Sequence, residues 1–167
     1  MKKNVIKILI ACATLVVVYT IIWTVYVDIV YLPYIKALDG EKSAVIDGYE
    51  YTVFTPSYPS FSGNLSVEES KRNRDVYSET TAGLLIWPSI NGECRFHVMI
   101  ETPTEIYDEY SSGSYIYGYE LNSELKPDLS TQEFEDNYNE HKDFFEDNWD
   151  KVETMLKKTQ SVFNISL

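Results

Sequence analysis

The chain has 167 residues, a formal net charge of −12, two cysteines and 14 tyrosines. Such an acidic balance argues against a nucleic-acid partner and against anionic lipid headgroups, while it suits solubility, cationic partners or divalent ions. The length leaves room for one domain beyond an anchor, large enough to bury a core without covalent staples.

Lys2, Lys3 and Lys7 precede an uncharged run from Ile8 to Val27, which Asp28 closes. At a rise of about 1.5 Å per residue, these twenty residues span the hydrocarbon core of a bilayer, about 30 Å thick. Residues 1–7 are therefore expected in the cytoplasm, 8–27 in the membrane, and everything after Asp28 outside, because lysines flank the run on the amino side alone. A cleaved secretory signal is the competing reading, but Trp23-Thr24-Val25-Tyr26-Val27 offers no small-residue cleavage step, and Trp23, Tyr26, Tyr31 and Tyr34 suit an interfacial aromatic belt. Leu9-Ile10-Ala11-Cys12 resembles the lipobox of bacterial lipoproteins, in which the cysteine is lipidated. The apolar stretch before Cys12 is short, and Lys7 interrupts it.

Residues 28–40 read as a juxtamembrane linker in which Pro33 kinks the helix or tilts its exit, with Asp39-Gly40 as the stop. Residues 41–167 form the expected acidic extracytoplasmic domain. With the three N-terminal lysines set aside, everything from Asp28 onward carries 11 basic residues against 26 acidic ones, a net charge of −15. Cys12 falls in the membrane run and Cys94 outside, so no disulfide is expected within the domain, which favours a bacterial envelope of the single-membrane kind. Asn64-Leu65-Ser66 and Asn164-Ile165-Ser166 fit the glycosylation sequon, which matters in a eukaryotic secretory pathway.

The domain opens with strand patterns. Ala44 to Ile46, Asp47-Gly48 and Tyr49 to Thr55 predict a hairpin with a two-residue turn. Pro56 to Gly63 reads as a loop and Glu68 to Asp75 as a charged connection. A second hairpin pairs Leu84 to Trp87 with Cys94 to Glu101 around Asn91-Gly92, with Cys94, Phe96, Val98 and Ile100 on one face and Arg95, His97, Met99 and Glu101 on the other. After Ser111-Ser112-Gly113, the strand Tyr115 to Tyr119 projects Tyr115, Tyr117 and Tyr119 to one side.

Ser130-Thr131-Gln132-Glu133 has the form of a capping box, with Ser130 as N-cap, opening a helix to about Lys158. Phe134, Tyr138, Phe145, Val152 and Leu156 line its apolar stripe, and Asp136, Glu140, Asp143, Glu146, Asp147 and Asp150 its wet side. The predicted architecture is α+β: a single transmembrane helix, then an antiparallel, hairpin-rich sheet of about four to six strands packed by one long C-terminal amphipathic helix.

Chemical motifs are sparse. Cys94 and His97 would make a nucleophile and base, but three residues along a strand put them on opposite faces. His141 sits at the edge of the helix's apolar stripe, with no second ligand at metal spacing. Ser123-Glu124-Leu125-Lys126 has the S-x-x-K spacing of penicillin-recognising enzymes; Pro127 follows at once, and the S-D-N and K-T-G companions are missing. Glu105, Asp108 and Glu109 share one loop that could offer oxygen ligands to calcium, without an EF-hand pattern. No metal and no cofactor is expected.

The candidate binding residues are Tyr115, Tyr117 and Tyr119, a row that can stack on sugars or anchor a protein partner, together with His97. The same row would equally serve as strand packing beneath the helix. The expected function is a non-enzymatic, membrane-anchored envelope protein that binds a protein, a peptide or wall glycan. An envelope hydrolase or transferase using acidic residues with His97 or His141 is the first alternative, and a small accessory subunit of a membrane complex the second.

Overall fold

A computed structural model describes residues 2–70, 80–103 and 114–165. The chain runs α1 (Lys2–Ala37), β1 (Ser43–Ile46), β2 (Tyr49–Phe54), β3 (Asn64–Glu69), β4 (Thr81–Pro88), β5 (Cys94–Pro103), β6 (Ser114–Leu121), α2 (Gln132–Glu140), α3 (Lys142–Asp147) and α4 (Trp149–Phe163). The six strands form one antiparallel sheet in sequence order, a plain meander, so the α+β architecture expected from the sequence is the one observed.

Both hairpin turns follow from their dipeptides. Asp47 and Gly48 take φ of 50° and 86°, the paired left-handed conformation of a two-residue turn, and bring Ile46 opposite Tyr49. At the second hairpin Gly92 takes φ of 86°, and Pro88 pairs with Cys94 across the turn. Alternation then sorts the side chains. Tyr51, Val53, Leu65, Val67, Leu84, Ile86, Phe96, Val98 and Ile100 are buried on one face.

That face is covered by helices. α4 lies over β4, α2 over β6, and the C-terminal part of α1 packs on β2 and α4. Residues 28–40, expected as a linker, continue the helix through Pro33 to Ala37, and Val30, Tyr31 and Leu38 join the core at 4%, 1% and 2% exposure. The stop falls where the sequence places it. Asp39 and Gly40 take positive φ, and the Gly40 amide donates to the Ile35 carbonyl at 2.9 Å, closing the helix in a left-handed cap.

The C-terminal helix differs from expectation in two respects. It is broken at His141 and at Asn148, whose backbones leave the helical region. The stretch is rich in Asn and Asp, which hydrogen-bond locally and compete with the helical ladder; the Asn148 side-chain amide donates to the Phe144 carbonyl at 2.9 Å. The N-cap is Thr131 rather than Ser130, with the Phe134 amide donating to Thr131 Oγ1 at 3.2 Å. Asp128 accepts the Ser130 amide at 2.9 Å and holds that residue outside the helix.

Candidate functional site

Among the described residues no helix covers the opposite face of the sheet. Register places Leu85 beside His97 and His97 beside Glu120, with Trp87 opposite Arg95 and Met99 opposite Gly118. His97 Nδ1 lies 3.2 Å from Glu120 Oε1, both side chains about one-third exposed at 29% and 33%. The ring lies directly over Gly118, where an added Cβ would collide with Nε2. Trp87 meets the edge of His97 at 6.4 Å, and the Arg95 guanidinium stands 5.7 Å from the Trp87 ring centroid. The result is a short aromatic and cationic row on an otherwise acidic sheet.

This row ends in a cleft of about 690 Å³ between the β4–β5 turn and the turn after β6. Trp87, Pro88, Phe96, Leu121 and Leu125 supply apolar wall, and Glu93, Arg95, Asn122 and Ser123 supply polar groups. Each rim is held by an asparagine. Asn91 Nδ2 donates to Glu93 Oε2 at 2.8 Å, and Asn122 Oδ1 accepts from the amides of Glu124 and Lys126 at 2.9 and 3.1 Å, fixing Leu125 at φ of 59°. Apolar surface with a few pre-positioned polar groups is the composition of a binding cleft.

The sequence-predicted residues fall in different places. Tyr119 is buried, packed on Phe145 at 4.5 Å and Tyr138 at 5.6 Å beneath the helices. Tyr117 is half-buried, its ring 4.6 Å from His141 and 4.9 Å from Phe144. The backbone of Tyr115 pairs with Thr102, and its side chain lies outside the described residues. His97 is on the far face of the sheet from Tyr117, Tyr119 and His141. Glu105, Asp108 and Glu109 also lie outside the described residues.

Cys94 is on the helix-covered face, its Sγ 3.8 Å from the Tyr34 hydroxyl of α1. Burial pushes the thiol above its ordinary range, partly offset by the tyrosine hydrogen bond. A thiol held protonated is a poor nucleophile. Ser123 lies in the turn after β6, and Lys126 Nζ pairs with Glu124 at 2.9 Å instead of approaching the serine as an S-x-x-K pair requires. Among the described residues no three His, Cys, Asp or Glu side chains gather as a metal site would need.

Trp87, Glu93, Arg95 and Asn122 are among the cleft residues not singled out from the sequence. The alternation that puts Arg95 on the outer face was visible; its meeting with Trp87 and the Asn122 turn needs the register. No family model matches the chain, and neither a curated protein nor a solved structure matches it.

Proposed function

We propose that the chain is a single-pass membrane protein of a bacterial envelope, with residues 1–7 in the cytoplasm and the acidic α+β domain outside, and that it binds a wall glycan or peptide at the Trp87–Arg95 cleft without catalysing a reaction. The membrane part rests on α1. Its Asn4–Ala37 stretch is long and apolar enough to cross a bilayer, its most apolar 18-residue window having a mean hydropathy of 2.6, and lysines on its amino side give it a direction.

The binding part rests on one observation: an indole, a guanidinium and an asparagine-braced turn converge on an open cleft at the end of the uncovered sheet face. Aromatic rings stack on sugar faces and apolar side chains, while Arg95, Glu93 and Asn122 offer directional hydrogen bonds. The hydrolase alternative would draw on the His97–Glu120 pair. That pair and His141 stand on opposite sides of the sheet, so they cannot serve one reacting atom.

The test is a titration of the full chain in detergent with soluble muropeptides and N-acetylglucosamine oligomers, read by tryptophan fluorescence. Saturable binding that Trp87→Phe silences and Arg95→Ala weakens about tenfold, the loss of one charged hydrogen-bonding group, supports the reading. Saturable binding unchanged in both variants, or no binding by any of these ligands, counts against it. Turnover of a muropeptide would return the hydrolase alternative.

A further inference from the structure

The geometry points to a second membrane contact: the β2–β3 loop, Pro56 to Gly63, dips from the interface into the outer leaflet of the bilayer, laid along the exit of the anchor helix. This rests on the reading of α1 as a membrane span. Gly63, the last residue of the loop, meets the Tyr31 hydroxyl at the end of α1 that enters the core, but the loop does not stop there. It packs lower, on Tyr19, Trp23 and Tyr26, within the uncharged run itself. Tyr19 stands two helical turns, about 12 Å, inside Val27. Whatever touches it from the domain is carried to the depth of the outer leaflet.

The chemistry of the loop fits that depth in three ways. The stretch from Tyr51 to Val67 contains no charged residue, although Glu50 and Glu68 flank it in a chain that is 24% charged. Two loop residues, Pro56 and Pro59, have no amide N–H to satisfy. The carbonyls of Pro59 and Ser60 accept hydrogen bonds from Tyr19 Oη and Trp23 Nε1, both at 2.6 Å, and the Ser60 amide donates to the Ser57 carbonyl at 2.8 Å. Irregular backbone near hydrocarbon is tolerated where its polar groups are paired within the protein, and here the span's own interfacial aromatics do the pairing.

Outward, the loop presents Tyr58 at 49% exposure and leads from Phe54 at 53%. An amphipathic ring there belongs with the aromatic belt, and the neutral loop escapes the repulsion that keeps the acidic domain from headgroups. Anchor and loop would then hold the sheet at two points and fix its orientation to the membrane.

The experiment uses the full chain with Cys12→Ala and Cys94→Ala, reconstituted in phosphatidylcholine vesicles at high lipid excess. A nitroxide is attached in turn at Tyr58→Cys, Val16→Cys and Glu50→Cys, and its accessibility to oxygen and to a water-soluble nickel chelate is measured. The expected result is a label at 58 that prefers oxygen several-fold over the label at 50, approaching the label at 16. A label at 58 as open to nickel as that at 50, with 16 still protected, overturns the loop contact while sparing the anchor. A label at 16 open to nickel overturns both. A label at 58 shielded from both reagents and broadened by a second label means a neighbouring copy covers the loop, and overturns the lipid contact. Ser57→Cys, an exposed serine on the same turn, repeats the measurement should Tyr58→Cys fail to fold.

Discussion

The Tyr34 ring of α1 meets Phe163 of α4 edge to face at 5.4 Å, and the same Phe163 ring meets Tyr51 of β2 at 5.5 Å. One side chain from the last helix thus joins α1 to the sheet. Phe163→Ala should cost about 3–5 kcal/mol, the range for removing a buried phenyl ring and leaving a cavity. Urea unfolding of the full chain in detergent checks it. A loss below about 1 kcal/mol would mean that α1 and the sheet are not coupled through this ring.

The burial of Val30, Tyr31 and Leu38 makes a second prediction about where the folding unit begins. Each fully buried side chain of this kind stabilises by about 1.5–3 kcal/mol, and three of them rival the 5–15 kcal/mol that an ordinary domain possesses. A fragment starting at Glu41 should therefore unfold at far lower urea than one starting at Asp28, and should bind a hydrophobic dye. Equal midpoints for the two fragments would show that the end of α1 is dispensable.

Much of the fold is legible in the sequence, for local reasons. Asp47-Gly48 and Asn91-Gly92 mark their turns because positive φ costs glycine nothing and, at Asp47, aspartate little, and period-two alternation then sets each strand's inner face. The packing of residues 28–38 is not legible, since a stripe that faces a sheet and one that faces lipid are equally apolar. The breaks at His141 and Asn148 escape notice because the apolar stripe keeps helical spacing across them while the local competition by Asn148 lies in its rotamer. The cleft is illegible for a further reason. Trp87, Arg95 and Asn122 come from three separate segments, and only the β4–β5–β6 register brings them together.

Gly118 and His97 provide a test of the uncovered face. An alanine at 118 would drive its Cβ into the His97 ring and break the contact with Glu120. Gly118→Ala should cost about 1–3 kcal/mol from overpacking. His97→Ala removes the obstacle, so the double variant should recover at least half of that loss in a double-mutant cycle by urea unfolding. Strict additivity would place the His97 ring elsewhere.

Buried tyrosines set the alkaline limit, Tyr51 and Tyr119 among them. Burial, and then the neighbouring Tyr49 and Asp47 charges, push the Tyr51 phenol up to about 12 from its ordinary value near 10. Burial raises Tyr119 as well, reinforced by Tyr138. A phenol that holds its proton more tightly when folded contributes stability that is fully present below the unfolded value and is lost as pH rises through the folded one. Urea midpoints should therefore fall between about pH 10 and pH 12. Both hydroxyls are buried with no hydrogen-bond partner among the described residues, so Tyr51→Phe and Tyr119→Phe should be neutral or stabilising by up to about 1 kcal/mol at pH 7. The double variant should also flatten the alkaline fall relative to the wild type. An unchanged slope above pH 10 would assign that fall to other groups and show that these phenols do not resist ionisation in the folded chain.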